Sequence, residues 1–89
     1  MDELSEIKKG LKERKLILGT SNTIKKLKVN KVNKVWLSSN VPKNVKDDIS
    51  HYCSINNINI VQLKIPNDEL GVLCKKQFSI SVLSMVKGN

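Results

Sequence analysis

Two hydrophobic periods take turns along this chain, and their alternation limits the fold more than any other feature. Leu4, Ile7 and Leu11 recur at spacings of three and four, with Asp2, Glu3 and Glu6 early and Lys12, Arg14 and Lys15 late. That is an amphipathic helix with charges matched to its dipole. Leu16, Ile17 and Leu18 then form a short apolar run ended by Gly19, the pattern of a strand covered on both faces. Thr20, Ser21 and Asn22 offer three N-caps to a second helix, with Ile24 and Leu27 facing inward and Lys25, Lys26 and Lys28 facing out. Val35, Trp36 and Leu37 read as a second buried strand, closed by Ser38, Ser39 and Asn40.

Pro42 suits the first turn of a third helix, whose inward stripe is Val45, Ile49, Tyr52 and Cys53 and which Asn56 and Asn57 break. Residues 58–63 alternate as a third strand, and Pro66, Asn67 and Asp68 turn the chain into a short helix with Leu70 and Leu73. Residues 78–86 alternate large apolar and small hydroxyl side chains, predicting a fourth strand with one tightly covered face. Helix and strand thus alternate throughout, which predicts an α/β fold with a sheet layered between helices and built from crossover connections. The 89 residues, without internal repeat or linker, are expected to form one domain over 1–89.

A net charge of +8 biases such a domain toward polyanions, meaning nucleic acid or an anionic membrane surface. The charge is also unevenly spread: residues 16–46 carry Lys25, Lys26, Lys28, Lys31, Lys34, Lys43 and Lys46 with no Asp or Glu. A solvated helix face does not by itself exclude acids over so long a stretch. No apolar run approaches the roughly 20 residues that span a bilayer, and the charged start MDELSEIKKG is not a signal peptide. The expectation is a soluble protein of a reducing compartment.

Other chemistry has little to stand on. Cys53 and Cys74 lie in apolar surroundings, without the partners a zinc site or disulfide framework needs, and read as small core residues. His51 falls off the apolar stripe of its helix, and the pairs Asp47-Asp48 and Asp68-Glu69 read as first-turn carboxylates that complement helix dipoles. Gly19 and Gly71 do not form a phosphate-binding loop of the GxxxxGK[ST] type. No catalysis, metal, cofactor or small-molecule substrate is expected. The corner at Gly19 says more: a helix N-terminus presents unpaired N–H groups and the positive end of its dipole to an anion. Capping would occupy only one of the polar residues there, leaving the others free for base edges or 2′-hydroxyls.

Five stretches, LGTSNTIKKLK, KVWLSSNVP, DDISHYC, NDELG and CKKQFSISVLSMV, together resemble the kink-turn RNA-binding superfamily. Within it they resemble most the e-type thirty branch of large-subunit ribosomal proteins. The resemblance runs over roughly residues 4–88. It implies a three-layer α-β-α sandwich around a four-stranded mixed sheet, with an RNA site at one end. Gly19, Thr20, Ser21, Asn22 and Thr23, followed by Lys25 and Lys26, match the segment that docks on the sheared G·A pairs of a kink-turn. Asn40 and Pro42 match the loop beside it, Phe78 the aromatic that meets an extruded base, and Ile80 a neighbour on the same surface. By residue type alone Phe78 reads as core, and the resemblance reverses this; Trp36 keeps the core reading.

Two departures stand out. Ser21-Asn22 occupies the place of an Asn-Glu pair in the seven-Ae branch, and Lys75 stands where the thirty branch usually has glycine. The implied function is a structural constituent of the large ribosomal subunit, cytoplasmic, bound to a kink-turn-like internal loop of rRNA beside other ribosomal proteins. The alternative is a kink-turn binder outside the ribosome: a guide-RNA or RNase P subunit, or a regulator of its own message. An enzyme with a phosphate-bearing substrate at the Gly19 corner is the remote third reading.

Overall fold

A computed structural model describes residues 3–87. Its elements are α1 (Glu3–Lys12), β1 (Leu16–Leu18), α2 (Thr20–Lys28), β2 (Val32–Leu37), α3 (Lys43–Asn56), β3 (Asn59–Gln62), α4 (Asn67–Leu73) and β4 (Val82–Val86). The strands form one sheet in the order β1-β4-β2-β3, with β4 antiparallel to both neighbours and β2 parallel to β3. The sheet is therefore mixed, with helices on both faces.

Two apolar clusters define the layers. On one face Ile7 of α1 and Leu70 of α4 pack with Trp36, Leu83, Cys74 and Ile80. On the other, Leu27 of α2 and Ile49 and Cys53 of α3 pack with Val32, Val35, Leu37 and Val82. Val32 and Val35 lie three apart, an odd spacing that normally sends side chains to opposite faces. A register shift between Val32 and Lys34 against β4 inserts one extra residue and returns both to the same face. Gly10 lets α1 approach the sheet, since a Cβ there would meet Met85 Cε at 2.9 Å.

The expected stripe on α3 is present, with Ile49 and Cys53 buried and Val45 and Tyr52 half-buried. The helix ends at Asn57, which takes the left-handed conformation at φ 54°. Pro42 stands one position earlier than expected, as the N-cap, and Asp47 and Asp48 follow the first turn, which holds no acid. Burial pushes the Cys53 thiol up to about 11 and raises Cys74 as well, so both remain protonated core side chains.

Three strands differ from expectation. β2 begins at Val32, three residues before the expected Val35. β1 is an edge strand and only half-buried, although Leu16 and Leu18 pack on one cluster and Ile17 on the other. β4 begins at Val82 instead of residue 78. The reason is visible in the backbone: the Ile80 N–H donates to the Asn67 carbonyl at 3.0 Å, outside the sheet. Ile80 and Val82 also serve opposite clusters, which two residues of one regular strand cannot do.

A polar clasp ties α1 to the sheet. Lys34 on β2 bonds Glu3 at 2.9 Å and Glu6 at 3.2 Å, and the Trp36 indole N–H donates to Glu3 Oε1 at 2.8 Å. The Trp36 and Lys34 bonds hold the Glu3 carboxyl below its ordinary value, and Glu3 in turn raises Lys34. A carboxylate with a depressed folded-state pKa stabilises above its unfolded pKa and loses that contribution as pH falls through the folded value. The raised Lys34 contributes below its unfolded pKa and loses this only as pH rises through the folded one. Lys34→Met is therefore expected to lower the thermal midpoint at pH 7, with the gap to wild type closing below about pH 4. An equal gap at both pH values would exclude the ionic contribution.

Lys75, directly after α4, adopts φ 59°. This is the left-handed region, where a Cβ costs roughly 1–2 kcal/mol, and removing it costs about 0.4–1 kcal/mol through the freer unfolded chain. Lys75→Gly is expected to stabilise by about 0.5–1 kcal/mol, read as a higher urea midpoint at unchanged slope.

Candidate nucleic-acid interface

Strand pairing brings four connections to one end of the sheet. Leu18 lies opposite Leu83, and Leu37 lies opposite both Val82 and Gln62. The segments leaving β1, β2 and β3 therefore meet the segment that enters β4. The starts of α2 and α3 open at this same end, and neither helix has an acid in its first turn. Their positive dipole ends are uncompensated by side-chain charge.

Gly19 makes the first corner. It is the N-cap of α2 at φ 95° and ψ 160°, and its own N–H donates to the Val82 carbonyl at 3.0 Å, anchoring the corner to β4. A Cβ at Gly19 would meet nothing within 4 Å, so glycine serves the backbone angle and leaves an open approach. The expectation of Thr20, Ser21 or Asn22 as N-cap is thus corrected: all three are first-turn helical residues, and no side chain caps the helix. Ser21 and Asn22 are exposed, Thr20 is half-buried, and the Asn22 amide donates back to the Leu18 carbonyl at 3.1 Å.

Two of the residues expected at the site have no surface to offer. Thr23 is fully buried, its hydroxyl sharing a 3.0 Å hydrogen bond with Ser84 under α2. Ile80 is 1% exposed and belongs to the core beside Leu70 and Cys74. Lys25 and Lys26 are exposed but sit in the last turn of α2, roughly 9–10 Å along the helix axis from Gly19. Lys43 and Lys46, by contrast, are exposed in the first turn of α3, at the end where the loops meet.

Asn40 is exposed on the loop after β2 and held there by a side-chain clasp. Its Oδ1 accepts from the Asn67 N–H at 2.8 Å and the Ser38 hydroxyl at 3.1 Å, while its Nδ2 donates to Asn67 Oδ1 at 3.2 Å. Asn67 Nδ2 continues the chain to the Ser81 hydroxyl at 3.3 Å. Three connections are locked together through Asn67, whose amide and backbone groups all have partners. Sequence reasoning saw Asn67 only as a turn residue; the signal was an asparagine after proline at a helix start.

Phe78 is 60% exposed on the loop before β4, so the core reading from residue type does not hold. Val72 on α4, 74% exposed, lines a cleft of about 260 Å³ with it, alongside Asp68, Lys76, Gln77 and Ser79. This end of the molecule therefore combines open backbone N–H groups, fixed amides, an aromatic face and nearby lysines. Such a set can hydrogen-bond bases and sugars, stack on an unpaired base and attract phosphates.

A model of the ribosomal protein L7Ae/L30e/S12e/Gadd45 family matches residues 2–89. The chain is similar to the large ribosomal subunit protein eL30 of Sulfolobus acidocaldarius, 42% identical over 91% of this chain and 78% of that protein. It is also similar to the large ribosomal subunit protein eL30 of Sulfurisphaera tokodaii, 39% identical over 92% of this chain and 77% of that one. Among solved structures, a 15.5 kD RNA binding protein of Giardia lamblia shares the fold, with a TM-score of 0.76 and 18% identity. That match covers 100% of this chain and 78% of the other. With this match in sequence and this order of helices and strands, the chain belongs to the ribosomal protein L7Ae/L30e/S12e/Gadd45 family.

Proposed function

We propose that this protein is a structural, non-catalytic component of the large ribosomal subunit that binds a kink-turn-like internal loop of rRNA. The similarity to eL30 proteins supports the ribosomal assignment, and with it a place in the cytoplasm beside other large-subunit proteins. The observation that carries the RNA reading is the gathering of Gly19, Ser21, Asn22, Asn40 and exposed Phe78 at one end of the sheet. The α2 start offers N–H groups to the RNA backbone, Ser21 and Asn22 address the kink, and Phe78 stacks on an extruded base. Lys25, Lys26, Lys43 and Lys46 supply a sequence-independent phosphate field.

The test is binding of a kink-turn RNA by titration at several salt concentrations. Phe78→Ala is expected to weaken it by about 1–3 kcal/mol, the loss of one base stack, with an unchanged thermal midpoint because the ring is largely exposed. Lys26→Ala is expected mainly to flatten the salt dependence. A Phe78→Ala variant that melts early but binds as wild type per folded molecule would return the ring to the core. Co-sedimentation with large subunits through a moderate-salt wash supports the ribosomal role. Enrichment of small guide RNAs on pull-down would favour a kink-turn binder outside the ribosome.

A further inference from the structure

We propose that the groove between α1 and α4 binds the phosphate backbone of a second RNA segment, apart from the end-of-sheet surface. A cavity of about 600 Å³ opens there, lined by Lys8, Leu11 and Lys12 of α1, Leu73 of α4, and Lys75 just beyond. The three lysines are exposed, and among the described residues none of them makes an ion pair. Among the described residues no acid lines the groove, because the acids of α1 are engaged elsewhere: Glu3 and Glu6 hold Lys34. Glu13, after the helix, lies 3.4 Å from Lys15.

Ammonium groups around an acid-free concavity act as point charges that suit phosphates, and the Leu11 and Leu73 floor can pack against sugar edges. The groove and the surface assigned to RNA above are lined by neighbouring residues, Leu73 and Lys75 on one side and Val72 and Lys76 on the other. Lys76 follows Lys75 in the chain and lines the cleft that holds Phe78 and Val72. An RNA strand leaving Phe78 thus meets lysines on its way to α1. The inference rests on the RNA-binding reading of this chain and extends it to a second segment of the same ligand.

The experiment compares two probes, a minimal kink-turn hairpin and the same hairpin carrying a single-stranded flank. Wild type is expected to bind the flanked RNA at least tenfold more tightly. Lys8→Gln/Lys12→Gln/Lys75→Gln is expected to abolish that gain, lower the log–log salt slope on the flanked RNA by about 2, and leave hairpin affinity within twofold. The pair Lys8→Gln/Lys12→Gln, which spares the left-handed position, repeats the comparison if the triple variant is unstable. Equal losses on both RNAs, or none on either, would overturn the proposal. So would lysine-dependent binding of an acidic leucine-glutamate peptide with no effect of the variants on flanked RNA. Lysine-dependent binding of the flank by a wild type that ignores the hairpin would keep the groove and remove the kink-turn reading.

Discussion

Trp36→Ala is expected to cost about 3–5 kcal/mol, a large part of the 5–15 kcal/mol that holds a typical domain together. Trp36 is fully buried on a strand with neighbours on both sides, and its ring contacts the cluster that joins α1 and α4 to the sheet. Truncation leaves a void that these elements cannot close without breaking strand pairing. The indole adds a second role, since its N–H meets Glu3 at 2.8 Å and Lys34 Nζ lies 5.4 Å from its ring centroid. Trp36→Phe keeps most of the volume and removes the N–H, so a smaller loss of about 1 kcal/mol is expected. Urea unfolding of wild type and both variants measures the two contributions. A Phe variant as unstable as the Ala variant would mean that the polar clasp, not the packing, dominates.

Gly71→Ala is the second large effect. The α4 glycine is buried, and a Cβ there would run into the Phe78 carbonyl oxygen, a backbone atom with no rotamer to yield. The segment from Phe78 to Ile80 is pinned by the Ile80 bond to Asn67, so relief requires moving α4 or releasing the loop. Overpacking of this kind costs about 1–3 kcal/mol, or roughly 5–20 °C in the thermal midpoint of a domain this size. The same substitution is expected to weaken RNA binding by displacing Phe78. Phe78→Ala separates the two effects, since it should cost affinity without stability. A Gly71→Ala protein with wild-type melting and binding would show that α4 shifts freely over the loop.

The helices and the strands around Trp36 were legible because their patterns are local. Leu4, Ile7 and Leu11, or Val45, Ile49 and Cys53, announce a helical face by spacing alone. The start of β4 was not legible, because FSISV alternates as well as any strand does. Its first residues are drawn away by a long-range bond to Asn67 and by close contact with Gly71. The candidate site was legible only in part. Gly19, Ser21, Asn22, Asn40 and Phe78 are reached by the pattern and the resemblance, and the strand pairing brings their loops together. Thr23 and Ile80 belong to the same stretches, yet helix phase turns one onto Ser84 and the loop path turns the other into the core.

The alternating elements, the polyanion-seeking charge and the glycine corner follow from the order of residues alone, since periodicity, net charge and turn chemistry are properties of neighbours along a chain. The strand order, the choice of which residues in each stretch face solvent, and the fastening of the loops by Asn67 arise from the folded arrangement. These depend on pairings between residues far apart in sequence. Which partner a hydrogen-bonding group finds there is settled by the packing of the whole sheet.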